Sequence, residues 1–252
     1  MIDKSLIVFL VLFVPIIANA EIPITLSDPI INVKFDGKWT SDSEWKSSTV
    51  TEIKTNDGPI YIRTAHNGDF IYVLLDVIPD KTLSKGSDKS IICFENRSVE
   101  TKEQKNYCFS AAVNIATGKT LESNAISVQN SNYKLIKNSD GFFGIGGFSD
   151  ENNRYTNIPH ANYEYRIPID LFGRSNVYGF YVYVLDHDSR NVYTWPPNIL
   201  DENQKIPSSE KWGTIISLDK TLPEFHLGIV LLLSIIPVIV ISYFRKNISF
   251  QA

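Results

Sequence analysis

Ile60-Tyr61-Ile62-Arg63-Thr64-Ala65-His66-Asn67-Gly68-Asp69-Phe70-Ile71-Tyr72-Val73-Leu74-Leu75-Asp76-Val77 holds two runs of strand-forming residues around a two-residue break. Asn67-Gly68 supplies the positive φ angles of a tight hairpin turn, so Ile60 to His66 and Asp69 to Val77 read as antiparallel neighbours. Side chains alternate across a strand. Ile71, Val73, Leu75 and Val77 therefore share one face, which is uniformly aliphatic and belongs to a core. Phe70, Tyr72, Leu74 and Asp76 share the other, and its apolar members predict that it too is partly covered.

Outward from this hairpin, Ser90 to Glu95 and Asn106 to Val113 are strand-like, and each carries one of the two cysteines. A hairpin between them brings Cys93 and Cys108 face to face. A disulfide is the expectation, with two free thiols the alternative; a bridge closing this 15-residue separation would contribute about 3 kcal/mol in the chain-entropy account. The spacing excludes a CxxC redox site. Tyr163, Tyr165, Ile167 and Ile169 alternate with Glu164, Arg166 and Pro168. Ser127 to Ile136, Val177 to Leu185, Asn191 to Trp195 and Trp212 to Leu218 add further strands, and Glu21 to Asn32, with two prolines, an edge strand. Gly141, Gly144, Gly146 and Gly147 read as a flexible loop, because they lack the spacing and following helix of a dinucleotide fingerprint. No window shows a long amphipathic helix. Short strands separated by turn residues predict an all-β chain, a jelly-roll-like antiparallel β-sandwich.

The two ends carry a different signal. Leu227 to Phe244 contains no charged residue, and about 18 helical residues span roughly 27 Å, close to the apolar thickness of a bilayer. Arg245-Lys246 follows, which places that end in the cytoplasm. Lys4, the apolar run Ser5 to Ile17, and Ala18-Asn19-Ala20 have the layout of a secretory signal peptide. The expected organisation is a signal peptide over residues 1–20, an extracellular domain over 21–222, and a tail over 223–252 with a transmembrane helix at 227–244. The domain would sit on the extracellular face of the membrane on a single C-terminal anchor. Asp3 and Lys4 cancel, and the tail carries one more cation than anions. The outer region is thus one unit more acidic than the chain's net −4. That balance argues against nucleic acid, which needs a cationic footprint. No HExxH, GxSxG or phosphate loop occurs, so the expectation is a binding protein and not an enzyme.

Four motifs in order carry a resemblance. Asp36-Gly37-Lys38-Trp39 with Glu44-Trp45, Ala65-His66-Asn67-Gly68-Asp69-Phe70-Ile71-Tyr72, Glu164-Tyr165-Arg166-Ile167-Pro168, and Trp195-Pro196 with Lys211-Trp212-Gly213 resemble family-nine-like carbohydrate-binding modules. The match runs from about Asp36 to Leu218. The wider group includes DOMON-type and dehydrogenase-subunit haem domains on a related sandwich. Pro223-Glu224-Phe225, an apolar helix and a basic end resemble the PEF-type sorting tails of archaeal surface proteins, which implies a sortase-like processing enzyme as partner. Many such tails continue with Gly, where this chain has His226. The resemblance implies a carbohydrate or cell-surface glycan as ligand. A haem-binding electron-transfer domain and a structural surface-layer protein stand as alternatives.

Candidate site residues follow from side-chain chemistry. Flat aromatic rings stack on the C–H faces of sugars. Trp195 is the first candidate platform, with core packing the alternative. Trp39 and Trp45 could supply an opposing ring, and Tyr193 could line the same face. Asp186 and Asp188, at the end of a strand with Asp201 and Glu202 beyond, suit calcium, a hard cation that takes six to eight oxygens; a solvated acidic turn is the alternative. Haem has weak support: the only methionine is Met1, and nothing pairs His66, His160 and His187 by sequence. Asn96-Arg97-Ser98 is a glycosylation sequon.

Overall fold

The computed structural model describes residues 21–24, 30, 32–41, 43–97, 105–124, 133–200 and 206–217. In chain order the strands are β1 (Glu21–Ile24), β2 (Thr49–Ile53), β3 (Ile60–Asn67), β4 (Phe70–Val77), β5 (Lys89–Asn96), β6 (Lys105–Ala112) and β7 (Lys119–Asn124). They continue with β8 (Lys134–Ile136), β9 (Phe143–Phe148), β10 (Ala161–Pro168), β11 (Val177–Asp186), β12 (Asn191–Trp195) and β13 (Gly213–Ser217). Among the described residues the only helical pieces are two 3₁₀ turns, Ile169–Leu171 and Ser209–Lys211. The described residues are all-β, as their turn-punctuated alternation predicts. The signal peptide, the transmembrane helix and Pro223-Glu224-Phe225 lie outside the described residues.

Two sheets pack face to face. One runs β2-β3-β4-β10-β9, the other β1-β13-β11-β5-β6-β7-β8, with β12 also paired to β11. The hairpin forms with its turn one residue later than expected: Asn67 ends β3 opposite Phe70 without a positive φ, and the turn is Gly68-Asp69, with Gly68 at φ +57°. The chain crosses between the sheets from β1 to β2, from β4 to β5, from β8 to β9 and from β10 to β11. β10 then lies antiparallel to β4 in one sheet while β11 lies antiparallel to β5 in the other. On its other side β11 pairs with β13 along Val177–Phe180 and with β12 along Val182–Asp186. β1 is an edge strand, as expected, and pairs parallel to β13.

The core is the interleaved inner faces. Ile71, Val73, Leu75 and Val77 are buried in it with Ile60, Ile62, Tyr163, Tyr165 and Ile167 from the same sheet. Ile92, Phe94, Phe109, Phe180 and Val182 meet them from the other. Each such side chain contributes about 1.5–3 kcal/mol by leaving water. The opposite face of β4 is roofed by the segment before β2: Trp45 and Ile30 pack on Leu74 and Ala65. This matches the partial cover expected for that face.

Two further sequence expectations change, and two strands were not expected at all. The glycine stretch is an edge strand, β9, and its glycines permit close approach. A Cβ on Gly146 would lie 2.6 Å from the Ala112 carbonyl carbon, and one on Gly147 would lie 2.5 Å from the Gly37 oxygen. β2 and β7 carry polar sequences, TVTEI and KTLESN, and gave no apolar alternation to read. The Ser127 to Ile136 run is strand over Lys134–Ile136, the part of it that forms β8.

Cys93 and Cys108 face each other across β5 and β6 and form a disulfide. Replacing both with serine is expected to lower stability by about 3 kcal/mol through the freer unfolded chain. Urea unfolding of the oxidised protein against the double variant checks this. Equal midpoints would mean that the sheet alone fixes this pairing.

Candidate functional site

Three connections meet at one end of the sandwich: residues 54–59 between β2 and β3, 78–88 between β4 and β5, and 187–190 between β11 and β12. The register fixes this, with Ile60 opposite Val77, Leu185 opposite Lys89, and Asp186 opposite Asn191. The described chain leaves at Ser217, beside Val177 at the other end of β11. A ten-residue strand separates the two ends by about 33 Å.

At the first end lies a cleft of about 320 Å³ between the β2–β3 connection and β12. Asn56, Asp57, Asn191 and Asn198 line it and are exposed. Tyr193 enters its wall half-buried, packed against the main core, and accepts a hydrogen bond from Asn191 Nδ2 at 3.3 Å. Leu200, 42% exposed, adds an apolar lip. Thr194 Oγ1 holds the loop after β12 in place. It donates to the Pro196 carbonyl at 2.9 Å and accepts from the Ile199 amide at 3.3 Å. The lining therefore offers amide donors and acceptors, one carboxylate, the Lys54 ammonium, one aromatic ring and a small apolar surface. That mixture suits a polyhydroxylated ligand with both C–H and O–H faces.

Asp80, Asp88 and Asp186 converge at the same end. All three are buried, and one carboxylate oxygen from each lies within 4.8 Å of the others. Asp88 accepts from the Ser84 amide at 2.7 Å and the His187 amide at 3.0 Å. Asp186 accepts from the Ser189 amide at 3.1 Å. Among the described residues neither oxygen of Asp80 has a partner in good hydrogen-bond geometry, and the nearby Thr82 main-chain amide pulls its titration down only in part. Burial, with Asp88 and Asp186 beside it, pushes Asp80 up to about 8. Burial raises Asp88 as well. The Tyr163 hydroxyl is fully buried without a partner, and it lies within electrostatic reach of all three carboxylates. Buried carboxylates at this spacing repel strongly. Orphaned acidic oxygens with a phenol nearby fit a hard, oxygen-seeking cation.

The expected site residues separate. Tyr193 lies in the cleft. Trp195 is 5% exposed, packed in the core with its ring 5.6 Å from that of Phe180, and offers no free face to a sugar. Trp45 is fully buried, with Nε1 donating to Glu164 at 3.0 Å. Trp39 is half-buried on the other face of the sheet. The guanidinium groups of Arg63 and Arg154 lie over its ring at 4.7 and 4.8 Å. Asp186 joins the carboxylate cluster. Asp188 lies at the surface and accepts from Ser84 Oγ at 2.6 Å. Asn96 is buried and its Nδ2 donates to the Phe172 carbonyl at 2.9 Å, so the sequon is closed to a glycan in the folded domain. Asp201 and Glu202 lie outside the described residues. Asp80, Asp88, Asn56, Asp57 and Asn198 were not singled out, because only the fold brings these separate connections together.

A Ser149–His160–Asp76 chain also exists. His160 Nε2 pairs with Asp76, and Nδ1 lies 3.1 Å from Ser149 Oγ and 2.7 Å from the Ile158 carbonyl. Its arrangement is structural. All three residues are buried, Ser149 Oγ already accepts the His160 amide at 2.9 Å, and a nucleophile sealed from solvent meets no substrate. Both ring nitrogens of His160 are engaged, which leaves neither for an axial bond to haem iron.

No protein-family model and no curated protein matches the sequence. Among solved structures, the chain is similar to a family 9 carbohydrate-binding module (CBM9) from Caldicellulosiruptor kristjanssonii in complex with cellotriose. The TM-score is 0.44 and the identity 15%, over 81% of this chain and 98% of that one.

Proposed function

We propose that this chain is a non-catalytic glycan-binding module that takes its ligand in the cleft between the β2–β3 connection and β12. The supporting observation is the lining: Asn56, Asp57, Asn191 and Asn198 around the half-buried Tyr193 ring. The ligand's hydroxyls would bond the amides and the Asp57 carboxylate, and its C–H face would lie against Tyr193. Calcium at Asp80, Asp88 and Asp186 would hold the adjoining loops. The cleft lies at the end of the sandwich away from Ser217. A domain anchored through residues 227–244, at the extracellular face of a membrane, would turn it outward. Pro223-Glu224-Phe225 would be the point of processing for a sortase-like enzyme.

A glycan array with the full chain, in calcium and again in chelator, tests the binding. The cleft is tested by Asn191→Ala and Asp57→Ala, both exposed and outside the core. A lost hydrogen bond to a neutral or charged group costs about 0.5–3 kcal/mol, so affinity should fall by roughly 2- to 100-fold. Trp39→Ala should leave it unchanged. Binding that survives both cleft variants and vanishes with Trp39→Ala would move the site to the opposite sheet face.

A further inference from the structure

We propose that occupancy of the Asp80–Asp88–Asp186 cluster by a divalent cation sets the shape of the glycan cleft, so that cation and glycan bind with positive linkage. The inference rests on the glycan-binding reading of the cleft and goes beyond it by naming a control element, the β11–β12 turn. Two of the three carboxylates hold that turn directly: Asp88 accepts the His187 amide and Asp186 the Ser189 amide. Two residues past Ser189 the chain becomes the cleft wall. Asn191 faces Asp186 in the ladder, and Tyr193 pairs with Val184 two residues before it. The charges of Asp186 and Asp80 reach the Tyr193 phenol, as does that of Asp57 inside the cleft.

A site for the ion is indicated by two observations besides the acidic cluster. Among the described residues neither Asp80 oxygen, at 0% exposure, has a partner in good hydrogen-bond geometry, and the buried Tyr163 hydroxyl, within electrostatic reach of the same carboxylates, lacks one as well. With the cation in place, mutual repulsion is replaced by shared coordination and the turn is drawn onto 78–88. Without it, nothing draws the three crowded carboxyl groups together and the start of β12 loosens. The cleft then pays the cost of ordering Asn191 and Tyr193 when a ligand binds. Linkage of this kind is reciprocal and commonly about 5- to 150-fold.

Calcium alone is the first probe. Hydrogen–deuterium exchange of the full chain should show calcium slowing exchange in 187–194 and in 54–59. Calcium should also raise the thermal midpoint, and Asp80→Asn should abolish both effects. In chelator Asp80→Asn should be at least as stable as the wild type, because a side-chain amide can donate to Asp88 and Asp186 where a carboxylate cannot. Fast exchange at 187–194 despite calorimetric calcium binding would overturn the linkage and leave the ion site standing. No calcium-induced change of any kind would overturn both. A glycan found on the array should bind about fivefold or more tightly with calcium. Equal affinities would refute the linkage. An array without hits, together with calcium-ordered 187–194, would refute the glycan reading alone.

Discussion

Replacing His160 with alanine should cost the fold about 3–5 kcal/mol, the range for breaking a buried charged or strongly hydrogen-bonded pair by removing one partner. His160 and Asp76 are both fully buried. Asp76 sits on β4 and faces Asn162 of β10 across the ladder. One of its carboxylate oxygens pairs with His160 Nε2, while the other has no partner. The imidazole is thus the main compensation this carboxylate has for leaving water, and without it the group is stranded. The same ring closes the connection after β9, because the His160 amide donates to Ser149 Oγ and the Ser149 amide to the His160 carbonyl. Urea unfolding of His160→Ala measures the loss. The double variant His160→Leu with Asp76→Leu separates packing from polarity. It should recover much of the stability, because apolar replacement of a whole buried pair is often close to neutral. A cost below about 1 kcal/mol for His160→Ala would show that water reaches Asp76 and solvates it.

How far the sequence foretold this arrangement differs between fold and site. The hairpin of β3 and β4 (with its turn placed one residue too early), the inward set Ile71, Val73, Leu75 and Val77, the Cys93–Cys108 pairing and the Asn191 to Trp195 strand were legible. Each is a local pattern: a turn residue, a period of two, or a cross-strand pair. β9 was misread because glycine normally marks irregular chain, whereas here it marks backbone packed on backbone at Ala112 and Gly37. The aromatic candidates misled for a related reason. Trp195 and Trp45 look the same in sequence whether they stack on a sugar or fill a core, and burial decided between these uses. The carboxylate cluster needed tertiary structure outright. Asp186 could be suspected from its strand end, but Asp80 and Asp88 come from a different connection and reach it only across the β5–β11 ladder.

Removing the Glu164 side chain should release the segment that roofs the five-stranded sheet. Glu164 is fully buried on β10. Its Oε2 accepts the amides of Asp36 at 3.0 Å and Gly37 at 2.8 Å, and its Oε1 accepts Trp45 Nε1 at 3.0 Å. Each buried donor that the truncation strands costs about 1–3 kcal/mol, and these costs do not add fully when shared. Glu164→Ala should therefore cost about 3 kcal/mol or more in urea unfolding and expose Trp45 to fluorescence quenchers. The titration of this group carries a sign. Burial pushes Glu164 from 4.5 up to about 8, against the pull of the Gly37 and Trp45 donors. Between those values the folded chain holds a proton that the unfolded chain has released. The associated stability is complete below about 4.5 and is lost as pH rises through about 8, with a slope of at most about 1.4 kcal/mol per pH unit. Glu164→Gln cannot titrate and lacks this contribution. The stability difference between wild type and Glu164→Gln should therefore move against the wild type from pH 5 to pH 8, whatever the other carboxylates do. Movement toward the wild type would mean that the three donors prevail over burial and keep the carboxylate charged throughout.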